Sequence, residues 1–234
     1  MINALENLPR EFKSTITVSG IAATEVYTFG AVLGATIEEE VVRTLNNLKP
    51  VWDPENQYDN YLFIRQSQTF PDVVLRQPED ELPIIGIELK SWYILAKEGE
   101  PSLRFHVTPS ACAIQDVFVV VPWALSNVLS GTPLIYEPFI ESAHYVAEFR
   151  NYWWQHIRST ESDVTIIQPP NVTPYPQSKT QINDNPLSDN GNNFGRIARI
   201  KLQEFDTWVS RFEEISLLGI GAGKWRKFFK DQIG

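Results

Sequence analysis

The feature that most constrains the fold of this chain is a pair of apolar, β-branched runs between Phe70 and Trp92. The first run covers residues 73–75 and the second begins at Ile84. Residues 76–83 between them include two prolines and three acids. Strand-forming runs separated by turn-forming residues are typical of a β-hairpin. The sequence therefore predicts two strands joined by a hairpin-like loop.

Side chains of the second strand alternate between its two faces, because successive residues of a β-strand point in opposite directions. Ile85, Ile87 and Leu89 then share one face, while Glu88 and Lys90 share the other. A carboxylate and an ammonium group are therefore expected to project together from a strand whose opposite face is apolar.

Asp72 opens the first strand, where it is expected to sit across from Glu88. Oxygen atoms are the preferred ligands of Mg²⁺, which also keeps several waters when it binds a protein. Asp72, Glu88 and the carbonyl oxygen of Leu89 are candidate ligands for Mg²⁺, with Mn²⁺ as a substitute. A metal ion held in this way can activate water and stabilise charge on a phosphoryl group. Lys90 is the candidate for orienting or deprotonating that water and for stabilising the charge.

The order Pro71-Asp72 and then Glu88-Leu89-Lys90, with fifteen residues between the two acids, resembles the motif of the PD-(D/E)XK nuclease superfamily. This superfamily includes many restriction endonucleases, and the resemblance covers about the first half of the chain. It implies a restriction-endonuclease-like α/β fold, with a mixed central β-sheet flanked by helices. It also implies Mg²⁺-dependent hydrolysis of phosphodiester bonds in DNA, as by a type II restriction endonuclease. Enzymes of this kind often act as homodimers, which lets two sites cut two strands.

A helix predicted over residues 35–48 carries a fourth candidate, Glu38. Thr36 and Glu39 form a capping-box pattern at its start. Its apolar side consists of Ile37, Val41, Leu45 and Leu48. Glu38 lies on that side, where an unpaired carboxylate is costly, so it either bends towards solvent or reaches the metal site. Many proteins of the superfamily carry an acid on the first core helix, and the resemblance implies that Glu38 is this supporting acid, as a second metal ligand.

The rest of the chain predicts one domain over residues 1–234. Residues 116–123 form a continuous apolar run, typical of a strand buried on both faces, and a helix is expected between this strand and the hairpin. Residues 168–193 contain five prolines and are predicted to be a long irregular segment. Residues 196–234 are predicted to be helical and basic, with an amphipathic helix over residues 197–218.

The charge of the chain bears on its partners. A formal net charge of −9 argues mildly against binding to DNA, but residues 196–234 carry eight Lys or Arg and five Asp or Glu, which is compatible with local phosphate contact. The single cysteine excludes an intrachain disulfide, and no Cys/His zinc spacing occurs. There is no signal-peptide pattern and no apolar run of membrane-spanning length. A cytoplasmic protein with no membrane partner is therefore predicted.

Three basic residues follow the hairpin: Lys97, Arg104 and His106. They are candidates for phosphate contact, with a solvated charged face as the alternative. His106 has no second His or Cys at ligand spacing, which favours a structural role. Two functions are open: a DNA endonuclease, or a non-catalytic nucleic-acid- or protein-binding module that retains the nuclease fold. The aligned acids and lysine of the hairpin favour the enzyme, because a structural role gives no reason to direct them at one place.

Overall fold

The computed structural model describes residues 1–66, 69–80, 82–158, 164–176, 182–189 and 192–233. Within these ranges the chain is a mixed α/β protein, with a curled, mixed central β-sheet flanked by helices. The helices are α1 (Ile2–Glu11), α2 (Val26–Asn47), α3 (Lys49–Trp52), α4 (Ala143–Tyr152), α5 (Gln203–Ser210) and α6 (Ala222–Ile233). The central strands are β1 (Leu62–Arg65), β2 (Val73–Arg76), β3 (Ile85–Tyr93), β4 (Val117–Leu125), β5 (Pro133–Ile135) and β6 (Phe139–Ser142). Two small ribbons are formed by β7 (Ile166–Ile167) with β8 (Asn185–Pro186), and by β9 (Ser216–Leu217) with β10 (Ile220–Gly221).

The central sheet contains the predicted hairpin. Strands β1, β2 and β3 pair antiparallel in chain order, and β3 then pairs with β4 in parallel. Strand β4 is buried along its whole length, as its apolar run predicts. On the edge of β4 that faces away from β3, β6 pairs with its first residues and β5 with its last.

The connection between the parallel strands β3 and β4 differs from the prediction. Instead of the expected helix, residues 94–100 form turns and bends, residues 101–108 run without turns, and a short 3₁₀ turn follows at Pro109–Ala111. Phe105 N–H donates to the Gly195 carbonyl at 2.8 Å, and Thr108 N–H donates to the Ile182 carbonyl at 2.7 Å. Because distant segments of the chain satisfy these backbone groups, the connection does not need helical hydrogen bonds.

Helix α2 begins at Val26, well before the predicted start at residue 35. The capping-box pattern at Thr36 is therefore inside the helix, and the predicted start was wrong. The predicted apolar side is confirmed, because Ile37, Val41, Leu45 and Leu48 are all buried.

The two faces of β3 are covered by different helices. On one face, Gly34 of α2 lies so close to Ser91 that an added Cβ atom would be 2.8 Å from its Oγ. A glycine there lets helix and strand approach closely. On the other face, Trp208 of α5 packs on Trp92 with 5.5 Å between ring centroids. The sheet is therefore buried on both sides at β3.

The C-terminal part is helical and basic, but it is not built around one long helix. The helix predicted over residues 197–218 is interrupted on both sides of α5, and the β9–β10 hairpin separates α5 from α6. The irregular segment predicted at residues 168–193 contains strand β8, and otherwise its described residues form turns, bends and chain without regular structure. Residues 177–181 and 190–191 of that segment lie outside the described residues.

A hydrophobic core joins the sheet to its helices and includes residues from Ala4 in α1 to Phe229 in α6. A smaller cluster lies beside it and contains Trp154 and Phe194. Among the helices that the structure describes, none is long and apolar enough to cross a membrane.

Candidate active site

The candidate site forms where β2 and β3 stop pairing. Their last pair is Val73 with Ile87, and β3 continues to Tyr93 beside β4. The next pair in this register would be Asp72 with Glu88, as the sequence predicts. Beyond the last pair, the edge of β3 presents its backbone N–H groups to side chains instead of to a strand. Leu89 N–H donates to Asp72 Oδ2 at 3.1 Å.

Lys90 joins the two acids that the sequence predicts as metal ligands. Its Nζ lies 2.9 Å from Asp72 Oδ2 and 2.7 Å from Glu88 Oε1. Glu88 and Lys90 stand two residues apart on one face of β3, as strand alternation requires. Asp72, Glu88 and Lys90 together form the acid–lysine trio.

Burial decides the electrostatics of the trio. Burial raises the pKa of Glu88, whose side chain is 8% exposed; the Lys90 ammonium acts to lower it and the Asp72 carboxylate to raise it. Burial alone would lower the pKa of Lys90, but the two carboxylates raise it above its ordinary value. Because both carboxylates favour the charged form of Lys90, the ammonium stays protonated. One ammonium shared by two acids does not offset the full cost of burying the Glu88 charge, so the pKa of Glu88 stays raised.

Glu38 reaches the same edge of β3 from α2. Its Oε1 accepts a hydrogen bond from Ser91 N–H at 3.2 Å, and its Oε2 lies 3.0 Å from the Arg65 guanidinium. Burial raises the pKa of Glu38, and the charge of Asp72 raises it further. Of the two sequence-based alternatives, the side chain is directed to the site rather than to solvent. Its oxygens bind Ser91 and Arg65, and not Lys90.

A cleft of about 320 Å³ opens beside the trio. Its lining includes Asp72 and Glu88, and also Arg104 and His106 from the connection between β3 and β4. Lys97, the third basic candidate, is exposed and lies outside this lining. The structure therefore brings two of the three basic candidates into one cleft with the predicted metal ligands.

The basic side of this cleft is an extended segment, residues 103–108, which forms the cleft wall. Phe105 anchors the wall to the sheet, because its ring packs on Phe118 with 5.2 Å between centroids. Phe118 is the β4 partner of Glu88, so the wall lies on the face of the sheet that bears the acids. Arg104 and His106 flank Phe105 in the sequence, and both line the cleft.

A buried arginine on α4 fixes the wall. Arg150 has no exposed side-chain surface and donates to the carbonyl oxygens of Phe105 at 2.7 Å and Val107 at 3.0 Å. The same guanidinium lies 2.5 Å from the buried carboxylate of Asp184. Sequence reasoning missed Arg150 and Asp184, because the partners are distant in the chain and no local pattern links them.

The donor set suits a hard divalent cation that keeps most of its waters. In the part of the chain that the structure describes, no group of three or more His, Cys, Asp or Glu side chains is arranged to hold a metal ion. Asp72 and Glu88 offer two carboxylates, and the Leu89 carbonyl shares the strand edge of the Leu89 N–H that binds Asp72. Mg²⁺ in proteins commonly binds one or two carboxylates and several waters. These residues therefore fit Mg²⁺, provided that Lys90 gives up part of its contact with the acids.

No protein-family model matches this chain, and no curated protein matches it.

Proposed function

We propose that this protein is a cytoplasmic, Mg²⁺-dependent endonuclease that hydrolyses phosphodiester bonds in DNA and has a restriction-endonuclease-like fold. The observation that carries the proposal is the acid–lysine trio at the point where β2 and β3 part. The adjoining cleft also holds basic side chains. Carboxylates that bind a metal and cations that attract a phosphate are the groups that metal-assisted phosphodiester hydrolysis needs.

Each residue of the site has a role in this proposal. Asp72, Glu88 and the Leu89 carbonyl would hold the metal ion, which when bound supplies Lewis-acid stabilisation and lowers the pKa of water. Lys90 stays protonated and stabilises negative charge that develops on the phosphoryl group. Glu38 binds the edge of β3 and supports the arrangement of the other acids.

Plasmid cleavage tests the proposal. We expect the native protein to convert supercoiled plasmid to nicked or linear DNA with Mg²⁺ or Mn²⁺, and EDTA to stop the reaction. Asp72→Asn should abolish cutting, because it removes a charged ligand while its amide oxygen can still accept from Leu89 N–H. Asp206→Asn, which changes an exposed acid on α5, is the matched control. No cutting by native protein with either metal, and no divalent-ion binding by calorimetry, would overturn the proposal.

Arg104 is expected to contact the phosphate backbone, because it is exposed and lines the cleft. Losing one phosphate contact lowers the slope of log affinity against log salt concentration by about one. Arg104→Gln should show this change for a labelled DNA duplex, measured by fluorescence anisotropy with Ca²⁺ in place of Mg²⁺. Lys97→Gln removes the same charge outside the cleft and should leave the slope unchanged. Equal effects of the two substitutions would assign Arg104 to general surface charge.

One observation favours a second function, a non-catalytic binding module. The carboxylates of the site already have basic partners, since Asp72 and Glu88 contact Lys90 and Glu38 contacts Arg65. Such pairing supports the fold without a metal ion. This alternative predicts DNA binding in the anisotropy measurement and no cutting in the plasmid assay.

A further inference from the structure

Hydrolysis of a phosphodiester requires a group that takes a proton from the attacking water. The Lys90 ammonium lies within hydrogen-bond distance of both Asp72 and Glu88. A protonated lysine has three N–H donors and no lone pair. In this arrangement Lys90 donates to the two acids, and a second group that lines the cleft is the candidate for accepting the proton.

His106 lines the same cleft as Asp72 and Glu88, and one of its two ring nitrogens is unprotonated. Its Nε2 lies 2.8 Å from the carbonyl oxygen of Phe194. A carbonyl oxygen only accepts hydrogen bonds, so Nε2 carries the proton and donates it. In a neutral imidazole the other nitrogen is then unprotonated. The contact with Phe194 thus fixes the tautomer in which Nδ1 can accept a proton.

The residues beside the ring also fix its orientation. His106 stacks on Phe194 with centroids 5.6 Å apart and an interplanar angle of 29°. Gly195 has a φ of +80°, and an added Cβ atom would lie 1.9 Å from the ring Cδ2. This close approach requires glycine. Because Gly195 lies against the edge that holds Cδ2 and Nε2, the edge with Nδ1 faces away from it.

Burial, together with two neighbouring positive charges, favours the neutral form of His106. Burial lowers the pKa of His106, and the positive charges of Arg150 on α4 and Arg104 on the wall lower it further. The Phe194 carbonyl and the carboxylate of Asp189 act in the opposite direction. A neutral imidazole is the form that a general base needs.

We propose that His106 is the general base of the reaction, an inference that rests on the endonuclease function proposed above. Nδ1 accepts a proton from the attacking water while the water oxygen forms a bond to phosphorus. The bond from phosphorus to the leaving ester oxygen breaks, and its electron pair stays with that oxygen, which takes a proton from solvent. His106 then releases its proton to solvent, so the reaction consumes one water and needs no redox partner.

His106→Gln separates this chemical role from a structural one. The glutamine amide can still donate towards the Phe194 carbonyl, but it does not accept a proton from water. Removing a general base typically costs a factor of 10²–10⁴. We expect the single-turnover cleavage rate to fall about 10²-fold, with DNA affinity unchanged. The acidic limb of the native pH–rate profile should disappear, and added imidazole should partly restore His106→Ala.

His156→Gln is the matched control, because His156 is exposed on the turn Trp153–Ile157 and lies outside the cleft lining. A cleavage rate for His106→Gln close to that of the native protein, with the same acidic limb, would overturn the general-base role and leave the endonuclease proposal standing. Native protein that cuts no DNA would overturn both. Nitrogen NMR of the imidazole tests the tautomer separately, and a protonated Nδ1 in the neutral ring would also contradict the inference.

Discussion

Replacing Lys90 by methionine is expected to abolish DNA cleavage and to make the stability of the protein depend on divalent cations. Methionine is similar in length to lysine and carries no charge, so both acids of the trio lose their shared partner. Breaking a buried ion pair by removing one partner costs about 3–5 kcal/mol. The Lys90 and Asp72 side chains are 21% and 28% exposed. We therefore expect a smaller decrease in the free energy of unfolding, about 2 kcal/mol, when divalent cations are absent.

Added Mg²⁺ or Ca²⁺ is expected to return most of this stability. A ligand that binds the folded state alone stabilises it by about 2.7 kcal/mol at about a hundred times its Kd. Native protein should gain less, because a cation there has to displace the Lys90 ammonium from the acids. Urea unfolding of native protein and Lys90→Met, with and without Mg²⁺, measures both effects. Lys97→Met, at an exposed lysine outside the cleft, is the control.

The effect of Lys90→Met should also depend on pH. Burial raises the pKa of Glu88 above its ordinary value, so the folded state holds its proton at a higher pH than the unfolded state does. Stability then falls as pH rises between the two pKa values. Without the ammonium the pKa of Glu88 should rise further, so this fall should continue to higher pH, and the deficit should be larger at about pH 8 than at about pH 5. A deficit that is equal at both pH values and unaffected by Mg²⁺ would contradict a cation site at the trio.

The strand part of the site could be predicted from the sequence because side-chain alternation is local. Glu88 and Lys90 share a face in any strand that contains both. The position of Asp72 could be predicted only with a further assumption, that a short loop joins the two strands and pairs them. The register of β2 and β3 confirms this position, because its continuation would pair Asp72 with Glu88. The helical period alone was enough to assign Glu38 to the apolar side of α2.

Helix boundaries were less predictable, because they depend on neighbours. Thr36 and Glu39 have the pattern of a helix start, yet α2 begins at Val26, and Gly30 in its early turns lies against Tyr93 of β3. Residues 197–218 have the apolar spacing of one helix, but α5 ends at Ser210. The spacing of apolar residues indicates which side chains are buried, and does not show where the chain turns to bury them.

The cleft wall could not be predicted at all from local patterns. Arg104 and His106 alternate with the apolar Phe105, which is compatible with an extended segment. Nothing near them in the sequence shows that this segment crosses the acid-bearing face of the sheet. Its position depends on Arg150 and Asp184, and these residues become neighbours only in the folded chain.

The dependence of the wall on Arg150 leads to the largest expected effect on stability. Burial lowers the pKa of Arg150 to about 10, which leaves the guanidinium charged at neutral pH. Arg150→Met would leave the Asp184 carboxylate buried without its cation and two wall carbonyls without their donor. We expect the free energy of unfolding to fall by about 3–5 kcal/mol, measured by urea unfolding. Arg199→Met, which breaks an exposed pair with Glu100, should cost about 0–1 kcal/mol.

A second substitution separates the charge from the hydrogen bonds. Asp184→Asn in the Arg150→Met background removes the uncompensated charge, so part of the lost stability should return, and the two effects should be non-additive. The carbonyls of Phe105 and Val107 stay without their donor, so the recovery should be incomplete. If the double variant is as unstable as the sum of the single variants, the pair contributes no coupling energy and Arg150 acts through packing alone.

Hydrogen exchange shows whether Arg150 holds the wall in particular. The amides of Phe105 and Thr108 bond to Gly195 and Ile182, outside the central sheet. In Arg150→Met these amides should lose more protection than amides of β4, because local opening of the wall becomes easier than global unfolding. Equal loss across the wall and β4 would mean that Arg150 stabilises the whole fold. A selective loss would instead connect this arginine to the placement of Arg104 and His106 in the cleft.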